Sequence, residues 1–263
     1  MPPPWRMIAT LGLAGALAGF VALWRRPSLA LTLLVSCLFV PVLVGLANGQ
    51  DVTFLLLWIA LSATLLERGR PLTAGLVLSL CAAKFHLFLL APVLVWRERQ
   101  RRFALGLAAG VAALAALSFA TAGPDWPRQY YAVLASPAVH PRTAHMPNLH
   151  GLFAGLPYAP LLQGLATAGI VWAHWRIVRR ATFRDGLAAT LAGGLLIGHH
   201  AYLADCALLL PAGLEVAHGA TRPALRFLAV LLITPLLYFL YPSWPLLIPA
   251  ATALLVAGLA ASR

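Results

Sequence analysis

The stretch Leu72–Trp96, LTAGLVLSLCAAKFHLFLLAPVLVW, decides the fold. Its 25 residues could cross a ~30 Å hydrocarbon core once, yet Lys84-Phe85-His86 interrupts the apolar run near its middle. Arg68 and Arg70 precede the stretch, while Arg97, Arg99, Arg101 and Arg102 follow it. A single span would put these arginines on opposite faces, against the bias that keeps basic loops cytoplasmic. Two short helices turning around Lys84, Phe85 and His86 put them on one face. The stretch therefore reads as a hairpin with the chain's only lysine at its tip.

The flanking sequence repeats the pattern. Of 263 residues, 61% are hydrophobic and 10% charged, with mean hydropathy +0.85, whereas a soluble domain carries about 25% charge. Apolar segments fall at 7–23, 29–46, 53–66, 72–83, 86–96, 103–122, 158–175, 186–198, 202–217, 224–241 and 245–261. Runs such as Phe54–Leu66 do not alternate, which argues against a membrane β-barrel. The expected fold is all-α: a polytopic helical membrane protein of about 11 membrane segments, several short or broken, in one integral membrane domain over residues 1–263. Breaks at membrane depth are tolerated where they line a cavity, so they are places to look for function.

On this topology the cytoplasmic face holds 15 of the 19 basic residues, leaving Arg6, Lys84, Arg128 and Arg142 for the other. The net charge of +12 is thus a topological signal rather than a basic face for nucleic acid, and no nucleic-acid partner is expected. The carboxyl terminus lies inside, and residues 1–23 read as a retained helix rather than a cleaved signal, because Trp24-Arg25-Arg26 replaces the small-residue cleavage site. The extracytoplasmic face collects residues 47–52, 84–86, 123–157 and 198–202, with His86, His140, His145, His150, His199 and His200. Cys37, Cys81 and Cys206 lie in apolar segments without CxxC spacing and read as free thiols.

Four polar constellations sit on that face. In Asn48-Gly49-Gln50-Asp51 the amides can bind a sugar or phosphate and Asp51 can accept a proton, or the residues form a turn with Asp51 capping the next helix. Lys84 and His86 suit an anionic group, or Lys84 merely snorkels at a helix end. Residues 123–157 form a long extracytoplasmic or interfacial loop carrying Trp126, Tyr130, Asn148 and His150; its residues 126–134 can form an interfacial helix that shapes a lipid entrance or simply anchors. In Gly198–Asp205, His200 and Asp205 suit acid-base or phosphate contact. Adjacent His199 and His200 cannot both reach one ion from a regular helix, and no HxxxH or HExxH spacing occurs, so no metal site is expected. His174 and His218 read as helix-end or interface residues. The absence of P-loop, Rossmann and G-x-S-x-G fingerprints removes nucleotide-driven pumps and serine hydrolases.

Asn48-Gly49-Gln50, Arg68-Gly69-Arg70-Pro71, Ala74-Gly75-Leu76, Lys84-Phe85-His86-Leu87 and Pro92 occur in an order that resembles the membrane glycosyltransferases of family 87 in the C-type superfamily. Gly123-Pro124-Asp125-Trp126, Met146–Gly151 and His200–Asp205 with Pro211 continue the likeness, which covers roughly residues 40–215. The resemblance implies transfer of a sugar, commonly mannose, from a polyprenyl-phosphate donor to a glycan or lipid acceptor outside the cytoplasm. It fits an integral protein of a bacterial inner membrane. On this reading Lys84, with His86 or His200, meets the leaving phosphate, and Asn48, Gln50, Asn148, His150 and Tyr202 contact substrate. No metal or other cofactor is demanded by a monophosphate leaving group.

Family members carry an acid in the first large extracytoplasmic loop, and the resemblance places the catalytic base there. Residues 1–40 contain no acid, so the chain reads as a family member lacking its amino-terminal catalytic portion. Asp51, Asp125 and Asp205 are the acids left on the active face; Asp51 ranks first as base and Asp205 second. Ala204 stands where the family has a tyrosine before the later Asp. Two other functions suit the same features: a transporter or flippase for lipid-linked anions, and a non-catalytic membrane subunit.

Overall fold

A computed structural model describes residues 4–25, 28–95, 101–134, 136 and 142–262. The described residues are all-helical, without a strand. In order they form α1 (Pro4–Leu23), α2 (Leu29–Leu38), α3 (Val40–Ala47), α4 (Val52–Glu67), α5 (Pro71–Ser79) running on into a 3₁₀ turn Leu80–Leu87, α6 (Ala91–Leu94) and α7 (Arg101–Ala122). Then come α8 (Trp126–Leu134), α9 (Leu149–Leu152), α10 (Ala159–Arg180), α11 (Phe183–Ile197), a 3₁₀ turn Leu203–Leu208 leading into α12 (Leu209–Gly219), α13 (Pro223–Ile233), α14 (Pro235–Leu240) and α15 (Leu247–Ala261).

Proline starts many of these helices. It occupies the first turn of α3, α5, α6, α10, α13 and α14, where its missing N–H has no helical partner to lose and its fixed φ suits entry. Ser28, Asn148 and Thr182 cap α2, α9 and α11 with side-chain oxygens. Proline also breaks two runs read as continuous from sequence. The segment at 29–46 bends by 61° between α2 and α3, with Phe39 extended just before α3 and Pro41 in its first turn. The segment at 224–241 opens at Thr234, held extended (ψ 156°) by Pro235.

The hairpin is visible in the helix directions. α5 and α7 are parallel: Gly75 lies against Phe103 and Leu107, and Ser79 further along lies against Gly110. The approach is close enough that a Cβ on Gly75 would sit 2.1 Å from the Phe103 carbonyl oxygen, and one on Gly106 2.0 Å from that of Leu72. Between them the chain returns beside α11 in the opposite sense, Leu87 lying on Gly194, Leu90 on Gly193 and Leu94 on Gly186. Lys84, with non-helical φ −118° and ψ 54°, marks the reversal. A β-carbon on Gly194 would stand 2.0 Å from the Leu87 carbonyl oxygen, so the bare backbone there seats the hairpin tip.

Two polar ends result. Arg184 at the start of α11 pairs with Glu67 at the end of α4 (2.6 Å and 3.0 Å), approaches Glu215 of α12 (3.8 Å) and lies 4.6 Å over the Trp24 ring. Arg68, Arg70, Arg101, Arg179 and Arg180 stand at helix termini on this same end. Lys84, Asp51 and Asp205 meet at the other end.

Among the described residues, one helix, α7, is long and apolar enough to cross a membrane, or two if the bent α2–α3 pair is one span. The expected count of eleven membrane segments is therefore not reached by that test. Outside these, α4, α13 and α15 are shorter apolar helices. Of the two readings of His174, helix end or interface, the structure favours the second. This residue lies within α10, fully buried, with Nε2 2.8 Å from the Thr190 hydroxyl of α11.

Candidate active site

The site forms where three chain breaks meet: the α3–α4 turn, the tip of the hairpin and the turn between α11 and α12. Gly49, at φ +66°, closes the first turn and sets Asp51 at the entry to α4. Asp51 holds the N-cap position, but its side chain makes no cap hydrogen bond. Its carboxylate instead faces Lys84, with Oδ1 3.2 Å from Nζ. The capping alternative thus gives way to an ion pair.

Asp205 holds the other side of Lys84. The ammonium donates to Asp205 Oδ1 at 2.7 Å, and the Tyr202 backbone N–H donates to Oδ2 at 2.8 Å. The two acids are not equivalent. The Asp205 side chain is 1% exposed and that of Asp51 46%. Asp205 is a buried counter-charge to Lys84, and Asp51 is the carboxylate open to its surroundings.

Histidines line the adjoining wall. His86 and His200 stack with centroids 4.1 Å apart, and His199 and His150 extend the row at 5.9 Å and 5.6 Å. Both ring nitrogens of His86 are buried without a hydrogen-bond partner among the described residues, as is Gln50 Oε1. Burying such groups unpaired is unfavourable, so these atoms suit a ligand's hydroxyls or water. Burial, and then neighbouring His199, lowers the His150 pKa, leaving its ring neutral at neutral pH. Tyr202 packs edge-on to His200 with centroids 5.9 Å apart.

Asn148 and Asn48 differ in their surroundings. Asn148 is fully buried and gives both ends of its amide to backbone: Nδ2 donates to the Gly198 carbonyl at 2.9 Å, and Oδ1 accepts from the Gly151 N–H at 3.1 Å. It ties α9 to the Gly198 turn instead of presenting a free amide. Asn48 is exposed at the end of α3. The His145 backbone carbonyl accepts from the Tyr241 hydroxyl, and His140 lies outside the described residues. Among the described residues no group of three or more His, Cys, Asp or Glu side chains is arranged to hold a metal ion.

An apolar groove of about 510 Å³ lies between the hairpin and α7, lined by Leu78, Ala82, Phe85, Leu89, Ala104 and Leu107 among others. Phe85 belongs to both places: it lines the groove and contacts the His86 ring at 6.0 Å. Residues 126–134 do form a helix, α8, and its Tyr130 reaches Phe85 at 5.8 Å while Trp126 packs on Phe119 of α7 at 5.7 Å. Phe85 thus links the groove wall to α8, and Trp126 links α8 to α7. Sequence reasoning named the polar residues but not this groove, whose walls are ordinary Leu, Ala and Phe.

The model of glycosyltransferase family 87 matches residues 2–211, and the chain belongs to that family. No curated protein and no solved structure matches it.

Proposed function

We propose that this glycosyltransferase of family 87 moves a sugar from a polyprenyl-phosphate donor to an extracytoplasmic acceptor. The observation that carries the reading is the position of Lys84, a cation between two carboxylates and the sequence neighbour of Phe85, which lines an apolar groove. A lipid-linked phosphosugar has the matching parts in the matching order: an apolar tail, an anionic phosphate and a sugar rich in hydroxyls.

In the mechanism, the isoprenoid tail lies between the hairpin and α7, and the phosphate displaces Asp51 from the longer of Lys84's two ion pairs. Asp205, buried and held by the Tyr202 N–H, keeps the ammonium in place. The released Asp51 carboxylate takes the proton of the acceptor hydroxyl as that oxygen attacks the anomeric carbon. The bond to the phosphate oxygen breaks, and Lys84 stabilises the charge left on the phosphate. Gln50, His86 and His200 stand where the sugar's hydroxyls need partners. Asp51 supplies the carboxylate that residues 1–40 lack.

In this reading the chain is an integral protein of a bacterial inner membrane, its helices completing the crossing in pairs and broken spans. The histidine end faces outward and the arginine end, with the carboxyl terminus, faces the cytoplasm. Mannose is the first sugar to test. Purified protein in proteoliposomes, given polyprenyl-phosphate [¹⁴C]mannose and glycan or lipid acceptors, yields labelled product. Donor movement between leaflets without product identifies a flippase and overturns the transferase reading.

A further inference from the structure

A second cleft, of about 480 Å³, lies on the far side of α9 between α10 and α15. Gly169 and Ala173 of α10, Ala253 and Ala257 of α15, and Leu152 of α9 are among its walls, and a Cβ on Gly169 would meet nothing within 4 Å. One lining residue is charged, Arg176. Its guanidinium sits 5.0 Å over the Trp172 ring and makes no ion pair among the described residues. On the next turn Arg179 lies 5.8 Å over Trp175.

We propose that this cleft is a structural lipid site: it takes one acyl chain of an anionic phospholipid, whose phosphate is held by Arg176. Dimensions and charge select the occupant. From Ala166 to Arg176 the α10 wall is about 15 Å long, which is half of the ~30 Å hydrocarbon core and so the depth of one leaflet. The chain lies along the small-residue walls, and the headgroup reaches the tryptophan–arginine level. Guanidinium groups pair with phosphate oxygens in a two-pronged geometry, and neighbouring Arg179 and Arg180 favour an anionic surface. The inner end of the cleft touches Leu149 and Leu152 of α9. That short helix carries His150 to the histidine wall, and its cap Asn148 holds the Gly198 turn, so the bound lipid braces one wall of the site.

The inference rests on the membrane reading but not on the transfer reaction. It is tested on the full chain, purified in nonionic detergent, stripped of lipid and titrated by native mass spectrometry with palmitoyl-oleoyl phosphatidylglycerol or phosphatidylcholine. The wild type retains phosphatidylglycerol about fivefold better, the factor one interfacial cation supplies. Arg176→Gln removes that preference, and Gly169→Leu, whose Cβ meets nothing within 4 Å and whose branch extends into the cleft, removes retention of both lipids. Ala257→Leu on the opposite wall repeats the filling if Gly169→Leu does not fold. Equal retention of the two lipids by the wild type, or an unchanged preference in Arg176→Gln, overturns the site. A chain that purifies without detergent overturns the membrane reading and this site with it.

Discussion

Asp51→Asn lowers sugar transfer by about 10² to 10⁴, the range that a positioned general base supplies, while the donor KM changes little. The asparagine keeps the size of the side chain and loses only the charge and the capacity to take a proton. Lys84 stays anchored, because its shorter contact, 2.7 Å, is to Asp205. The protein therefore still presents its cation to the phosphate. Initial rates at saturating donor and acceptor measure the effect, and a rate within tenfold of wild type removes Asp51 as the base. Asp205→Asn behaves differently. It leaves Lys84 without its buried counter-charge, so donor binding and thermal stability fall together with the rate.

At the opposite end, Arg184→Met destabilises the fold by about 3–5 kcal/mol, the cost typical of breaking a buried ion pair from one side. Arg184 ties the end of α4 to the start of α11, and its side chain is 9% exposed. The two partners contribute unequally. Glu67 is half-exposed and is solvated by water once released, whereas Glu215 is 5% exposed and loses its cation inside the protein. Glu215→Gln in the Arg184→Met background recovers part of the loss, since a neutral amide replaces a carboxylate that has lost its arginine. Equilibrium unfolding in detergent checks both variants. A loss below about 1 kcal/mol, the range of an exposed pair, shows that the network does not join these helices.

The helices were readable from apolar runs, and the reversal at Lys84-Phe85-His86 from the placement of Arg68, Arg70 and Arg101 on either side of it. Topology alone also brought Asp51, Lys84 and Asp205 to one end. Their pairing was not readable, because nothing local links positions 121 residues apart. The breaks at Phe39 and Thr234 had a local signal in Pro41 and Pro235, which a reading by hydrophobic runs passes over. Asn148 illustrates the reverse error. A polar side chain near the site suggested a ligand contact, but a fully buried turn has its own backbone groups to satisfy, and Asn148 serves those. The Arg184 network escaped notice because its arginine sat among others assigned to a solvated face, although Glu67 and Glu215 within apolar helices were a usable sign.

The central claim is that the groove beside Phe85 delivers a lipid-linked phosphosugar to Lys84. A photoactivatable polyprenyl-phosphate sugar, with a diazirine on the isoprenoid tail, tests it most directly by mapping of the cross-linked peptides. The label falls on residues lining the hairpin and α7, Leu78 to Leu89 and Ala104 to Val111, and unlabelled donor competes it away. Competable labelling confined to other helices, with none on the hairpin or α7, contradicts it.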